Sequence, residues 1–161
     1  MARKVFFSFH YQLDAWRAAT VRQIGAIEGN ASAKDNDWET IKGGGERAIK
    51  TWIDSQLDGR TCTVVLVGEE TAQRKWVRYE IEESWRRGMG VLGVRIHRLL
   101  NSDKEPGKAG ANPFDYVKHD GRPLSRLVTL HDPLGIGSQT TYSSISSNLK
   151  TWIEQAIQAR K

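Results

Sequence analysis

Residues 61–96 read TCTVVLVGEETAQRKWVRYEIEESWRRGMGVLGVRI, and the hydrophobic period changes twice along them. Residues 61–67 form a short apolar run rich in β-branched side chains and closed by Gly68, and residues 91–96 form another. Both are too short for helices and apolar on both faces, so they read as strands covered on two sides. Between them Val77, Ile81, Ser84 and Trp85 recur at helical spacing, which makes this segment a helix with Arg78, Glu82 and Arg86 on its outer face. The i,i+4 spacing predicts pairing of Glu82 with Arg86, and of Glu83 with Arg87. A strand, a helix and a second strand imply a crossover connection and a mostly parallel sheet.

The pattern extends in both directions. Residues 4–9 (KVFFSF) form a third buried-type strand, central in the sheet. After a polar break at His10-Tyr11-Gln12, residues 14–24 place Ala15, Ala18, Ala19 and Arg22 at helical spacing, with Asp14 as N-cap or first-turn acid. Residues 28–37 are polar and small and Gly43-Gly44-Gly45 is flexible, so this part reads as loop with a short element around Trp38. Ile49, Trp52, Ile53 and Leu57 define an amphipathic helix over 46–57, ended by Gly59. Residues 97–121 form a long loop with a turn at Asn112-Pro113-Phe114-Asp115-Tyr116. Residues 127–130 are an edge strand, and Leu149, Trp152, Ile153, Ala156 and Ile157 define a closing helix to about Arg160.

A chain of 161 residues fits one domain with its own core. No apolar run approaches the roughly 20 residues of a membrane span, and no signal-peptide core follows Met1-Ala2-Arg3-Lys4. The expected location is the cytoplasm, which suits the lone cysteine, Cys62, and makes the Asn30-Ala31-Ser32 sequon a chance match. The 24 basic and 19 acidic residues leave a net charge of +5 that is spread along the chain. Without a basic cluster interleaved with aromatics, nucleic acid is disfavoured as a partner, whereas a small anionic ligand is compatible.

Several motifs fail on context. Gly88-Met89-Gly90-Val91-Leu92-Gly93 has dinucleotide-fingerprint spacing, but a helix precedes it and a strand follows, the reverse of what the pyrophosphate site requires. Gly43-Gly44-Gly45 lacks the Lys-Ser/Thr pair of a P-loop, and no Gly-x-Ser-x-Gly elbow exists. His97, His119 and His131 lack carboxylate or cysteine neighbours at metal spacing and read as surface histidines.

Ligands of open α/β sheets bind outside the carboxyl ends of the strands, here residues 8–11, 68–74 and 96 onward. Ser8 and His10 are candidate ligand contacts there, with a turn-forming role for Ser8 as the alternative. In the Trp76-Val77-Arg78-Tyr79-Glu80 segment, Trp76, Glu80 and Glu83 share a face about a quarter turn from the core stripe. Glu80 therefore sits at the core's edge, in a partly desolvated cleft bordered by an indole. The alternative is an exposed first-turn glutamate that stabilises the helix dipole.

KVFFSFHY at residues 4–11, TCTVVLVGEET at 61–71, Trp76-x-x-x-Glu80 and the Asn112–Tyr116 turn together resemble TIR domains, most closely the TIR-like branch of bacterial Thoeris antiphage systems, the ThsB-like TIR proteins. The resemblance covers residues 3 to about 117 of a single domain and leaves 118–161, with the closing helix, as an extension. It implies a flavodoxin-like three-layer α/β sandwich and cleavage of the nicotinamide–ribose bond of NAD. NAD is then the substrate rather than a cofactor, Glu80 the catalytic carboxylate, and the product a cyclic ADP-ribose isomer that activates a separate effector protein. Ser8, Phe9, His10, Tyr11, Trp38 and Trp76 are the expected substrate contacts, with Phe9, Tyr11 or Trp38 as an aromatic wall. Self-association stays open, because no form of the loop by which many TIR domains assemble is recognisable before the Trp38 region. A non-enzymatic TIR-like interaction module, with Glu80 as a helix-cap acid and the 98–122 loop as its binding surface, is the alternative from another class. A receiver-like domain is disfavoured, because the first strand ends in Ser8-Phe9-His10 without the acidic pair of a Mg²⁺ site.

Overall fold

The structure is a computed structural model that describes residues 3–24, 27–29, 41 and 43–161. The element expected around Trp38 lies outside the described residues. Strands β1 (Arg3–Ser8), β2 (Ile27–Glu28), β3 (Cys62–Val67) and β4 (Gly90–Arg95) are followed by a hairpin of β5 (Lys118–His119) with β6 (Arg122–Pro123) and then by β7 (Leu130–His131). The sheet has the order β2-β1-β3-β4-β7, and every pairing in it is parallel. This is the expected flavodoxin-like arrangement, with β1 flanked on both sides.

Alternation along the strands divides the interior between two faces. Val5, Phe7, Val64, Leu66, Leu92 and Val94 point to one face, where Ala18 and Val21 of α1 (Tyr11–Arg22) cover them together with a long C-terminal helix. Phe6 points to the other face, against Ile49, Ile53 and Leu57 of α2 (Gly45–Leu57). Val65, Val67 and Val91 share that face with Val77 and Ile81 of α3 (Lys75–Arg86). The C-terminal helix is α4 (Ser138–Gln158), which buries Ile145, Leu149, Ile153 and Ile157. Cys62, between Val5 of β1 and Gly90 of β4, is fully buried, and burial pushes its thiol up to about 12.

Three expectations need correction. Helix α1 starts at Tyr11, because His10 caps it: His10 Nδ1 accepts from Leu13 N at 3.1 Å, so the polar break is the helix start. Its buried face is Asp14, Arg17, Ala18 and Val21, whereas Ala19 is exposed. The reason is a buried ion pair, Arg17 Nη1 to Asp14 Oδ1 at 2.9 Å, which an apolar-periodicity reading does not see. On α3, Arg86 pairs with Glu83 rather than Glu82, and Glu83 also accepts from Arg87 Nε at 3.2 Å as expected.

The glycines at 88–93 serve packing. Gly88 ends α3 in the left-handed region at φ +78°, and Gly90 lets α4 press onto the sheet, since an added Cβ would lie 2.8 Å from Ile157 N and 2.9 Å from the Ala156 carbonyl carbon. Both obstacles are helix backbone. Gly90→Ala is expected to cost about 2 kcal/mol through overpacking, read as a lower urea midpoint at unchanged m-value.

Candidate functional site

The chain leaves β1 toward β2 on one side and reaches β3 on the other, so the sheet's topological switch point lies between the carboxyl ends of β1 and β3. A crevice at that point is the usual ligand site of this architecture. Its two lips are Ser8-Phe9-His10-Tyr11 and Gly68–Arg74, followed directly by α3.

Glu80 enters from α3 beneath the end of β1. It is 8% exposed, and Ser8 Oγ donates to Glu80 Oε1 at 2.8 Å across 72 residues of sequence. Burial pushes its carboxyl up to about 8, and the Ser8 hydrogen bond opposes that rise. The sequence reading of a carboxylate at the core's edge therefore understates its burial, and the exposed first-turn alternative is excluded. A hydroxyl chain fixes the helix that carries it. Ser84 Oγ donates to Glu80 O at 2.6 Å, and with that proton committed Thr63 Oγ1 donates to Ser84 Oγ at 2.6 Å. These buried hydroxyls tie α3 to β3 and explain a serine within the apolar stripe.

Around this carboxyl the sequence-predicted residues separate into two groups. His10 belongs to the crevice: it is 7% exposed, and desolvation and then Arg74 hold its imidazole below its ordinary range. Because Nδ1 accepts from Leu13, the proton of the neutral ring sits on Nε2. Phe9 and Tyr11 stand just beyond β1, half-buried and stacked with centroids 6.3 Å apart. Trp76 turns toward α2, where it packs with the Phe6–Ile49–Ile53 cluster and meets Tyr79 edge-on at 5.8 Å. Trp38 lies outside the described residues.

Two features of the crevice escaped the sequence. Asp14 is 1% exposed and presses on the opposite lip, where an added Cβ at Gly68 would collide with its carboxylate; only a glycine admits that approach. Burial raises its carboxyl above the ordinary range, against the pull of Arg17. Arg17 itself donates from Nε to Leu99 O at 2.7 Å and from Nη2 to Glu105 O at 3.0 Å, and so holds the segment after β4 against α1. Opposite charges three residues apart on a helix give no signal in the sequence that they will be buried.

The surface reading of the histidines holds for His119 alone. His97 is 8% exposed, with burial lowering its pKa, and His131 is half-buried against Trp152 at 4.2 Å. Among the described residues no group of three His, Cys, Asp or Glu side chains is placed to hold a metal ion. No helix among them is long and apolar enough to cross a membrane.

Two comparisons bear on this geometry. Residues 6–101 match the family described as Thoeris protein ThsB, TIR-like domain. The chain is also similar to a Bacillus cereus (strain MSX-D12) protein named "Putative cyclic ADP-D-ribose synthase ThsB1", with 36% identity over 133 residues that cover 77% of this chain and 69% of that one.

The raised Glu80 pKa has a thermodynamic sign. A carboxyl at about 8 when folded and near its ordinary 4.5 when unfolded binds more proton in the folded state between those values. Its contribution to stability is thus present at low pH and lost as pH rises through that window. Urea titrations at pH 5 and pH 8 are expected to show Glu80→Gln gaining on wild type at the higher pH, by on the order of 2 kcal/mol.

Proposed function

The chain belongs to the Thoeris ThsB TIR-like family, and from that premise we propose that it breaks the nicotinamide–ribose bond of NAD and makes a cyclic ADP-ribose-type signal, with Glu80 as the catalytic carboxylate. The observation that carries the reading is the buried Glu80 carboxyl, held by Ser8 at the switch point of the sheet. A carboxyl in that position is shielded from water and next to a crevice, the environment in which one charge acts strongly on a reacting centre.

The nicotinamide of NAD is cationic before the reaction and leaves as a neutral base with the electron pair of the broken C1′–N bond. No acid is needed to protonate it. What the step requires is a negative charge near the ribose as positive charge develops on its C1′–O group, and the ionised Glu80 supplies it. A nucleophile from the adenosine half of the same molecule then closes on C1′, and a proton it sheds passes to that carboxylate. Closure in place of hydrolysis depends on excluding water, which the apolar packing beneath Glu80 favours. His10, through its Nε2–H, and Ser8 are polar contacts for the substrate, while Phe9 and Tyr11 supply aromatic surface; Trp76 packs toward α2 and backs the helix that carries Glu80 instead. Trp38 belongs to this reading on its sequence position alone.

NAD serves as substrate, and the scheme calls on no further cofactor. The product acts on a separate effector protein in antiphage defence, within the cytoplasm, where NAD is abundant and a lone thiol stays reduced.

Purified protein incubated with NAD, beside Glu80→Gln, is expected to release nicotinamide and a cyclic product from wild type alone, resolved by chromatography with mass detection. An active Glu80→Gln protein overturns the role of Glu80. Failure of wild type to release nicotinamide, concentrated or expressed during phage infection, overturns the enzyme reading. Because the ionised form acts, kcat/KM is expected to rise with pH toward a limb near 8. Ser8→Ala removes the bond that lowers the Glu80 pKa and is expected to move that limb upward.

A further inference from the structure

Strand β4 has an opening on its outer edge, well away from Glu80. Gly90 N and Ile96 N donate to Thr61 O and Val67 O on the β3 side, each at 3.0 and 2.9 Å respectively. Strand alternation therefore turns the amides of Val91 and Gly93 outward. Gly93 N finds Thr129 O at 2.9 Å, but β7 pairs only with Gly93 and Val94, and no hydrogen bond among the described residues reaches the outward side of Val91. Val91 is 4% exposed, and among the described residues its outward amide and carbonyl find no backbone partner.

Val91 lines a cavity of about 300 Å³ together with Trp85 of α3, Trp152 of α4, Thr129, Gln155 and the Arg160 and His131 side chains that stack on the two indoles. Each indole is fixed. Arg160 lies 3.5 Å over the Trp85 ring and donates to Met89 O at 3.0 Å and Trp85 O at 3.1 Å, while His131 stacks on Trp152 with planes 15° apart. A rigid aromatic cleft with a backbone donor and acceptor side by side suits a flat heteroaromatic ring that carries an acceptor next to a donor. An added β-strand fits poorly, because the open edge is one residue long and enclosed by side chains.

We propose that the cleft between Trp85 and Trp152 is a second binding site, which takes a purine nucleoside by pairing the edge of its base with the Val91 backbone. The cavity has room for a two-ring base with its sugar turned toward the polar rim of Thr129 and Gln155. The site shares no residue with the switch-point crevice, so it stands or falls independently of the reading given for Glu80.

The test is a titration of the whole chain with adenosine, followed by nuclear magnetic resonance of backbone amides and indole N–H groups. The Val91 amide and the Trp85 and Trp152 indole signals are expected to shift together and saturably, with a Kd on the order of 0.1 mM for a ligand of this size. Thr129→Tyr fills the cleft from an exposed position and is expected to weaken binding about tenfold or more, with the remaining amide signals confirming that it folds. Glu80→Gln is expected to bind as wild type does. Shifts confined to Ser8, His10 and Gly68, shifts that survive in Thr129→Tyr, or no shift up to about 5 mM overturn the proposal.

Discussion

A carboxyl group taken out of water must keep its proton or find compensation for its charge, and Glu80 has one buried hydroxyl, that of Ser8, to hold it. Much of the architecture follows from keeping these two groups together. Ser8 is the last residue of β1 and Glu80 lies in the second turn of α3, so the strand end and the helix must be fixed in depth as well as in angle. The β1–β3 register sets the first, with Ser8 opposite Val65. The Thr63–Ser84 hydroxyl pair sets the second, since it pins the last turn of α3 to the neighbouring strand. The apolar clusters on either side, Val77 and Ile81 toward β3 and Trp76 toward α2, leave the carboxyl no alternative route to solvent.

The opposite face of the sheet solves a different problem with charge. Helix α1 has little apolar surface to offer, and it buries Asp14 and Arg17 instead. Such a pair is weak as a source of net stability, because desolvation offsets most of the attraction. Its value lies in direction: Arg17 has donors left over for Leu99 O and Glu105 O, which fixes the course of the chain after β4. Arg95 adds a further tie, donating to Gly110 O at 2.7 Å, and Gly110 packs on the backbone of Gly68 and Glu69. The long 97–110 segment is therefore shaped by main-chain acceptors that bind two arginines, and it forms part of the crevice wall on the β3 side.

How far these features were legible in the sequence depended on their physical origin. The six amphipathic or doubly buried segments, 4–9, 46–57, 61–67, 77–85, 91–96 and the closing helix, were readable because burial of apolar side chains imposes a period. Glu80 was found as a candidate by its helical phase relative to Val77 and Ile81, yet its depth was not, since depth is set by Ser8 72 residues earlier. Asp14, Arg17 and His97 were misread or missed for a common reason: a polar residue that will be buried looks the same in sequence as one that will be solvated, and of these three side chains only that of Arg17 has distant partners among the described residues, the carbonyls of Leu99 and Glu105. The start of α1 was displaced by three residues because a histidine is an uncommon cap, and only its contact with Leu13 N reveals the role.

The single cysteine carries a practical consequence. Cys62 sits in the middle of the sheet, beyond the reach of solvent, with its thiolate disfavoured until about pH 12. Electrophilic reagents that depend on a thiolate will pass over the folded chain. A cysteine introduced at an exposed position, such as Gln155 or Lys118, would then be the one thiol a maleimide dye or spin label could modify, with no need to remove the native one. The same thiol becomes reactive once the sheet opens, so its rate of alkylation in denaturant is a built-in clock for unfolding of the strands that hold the site together.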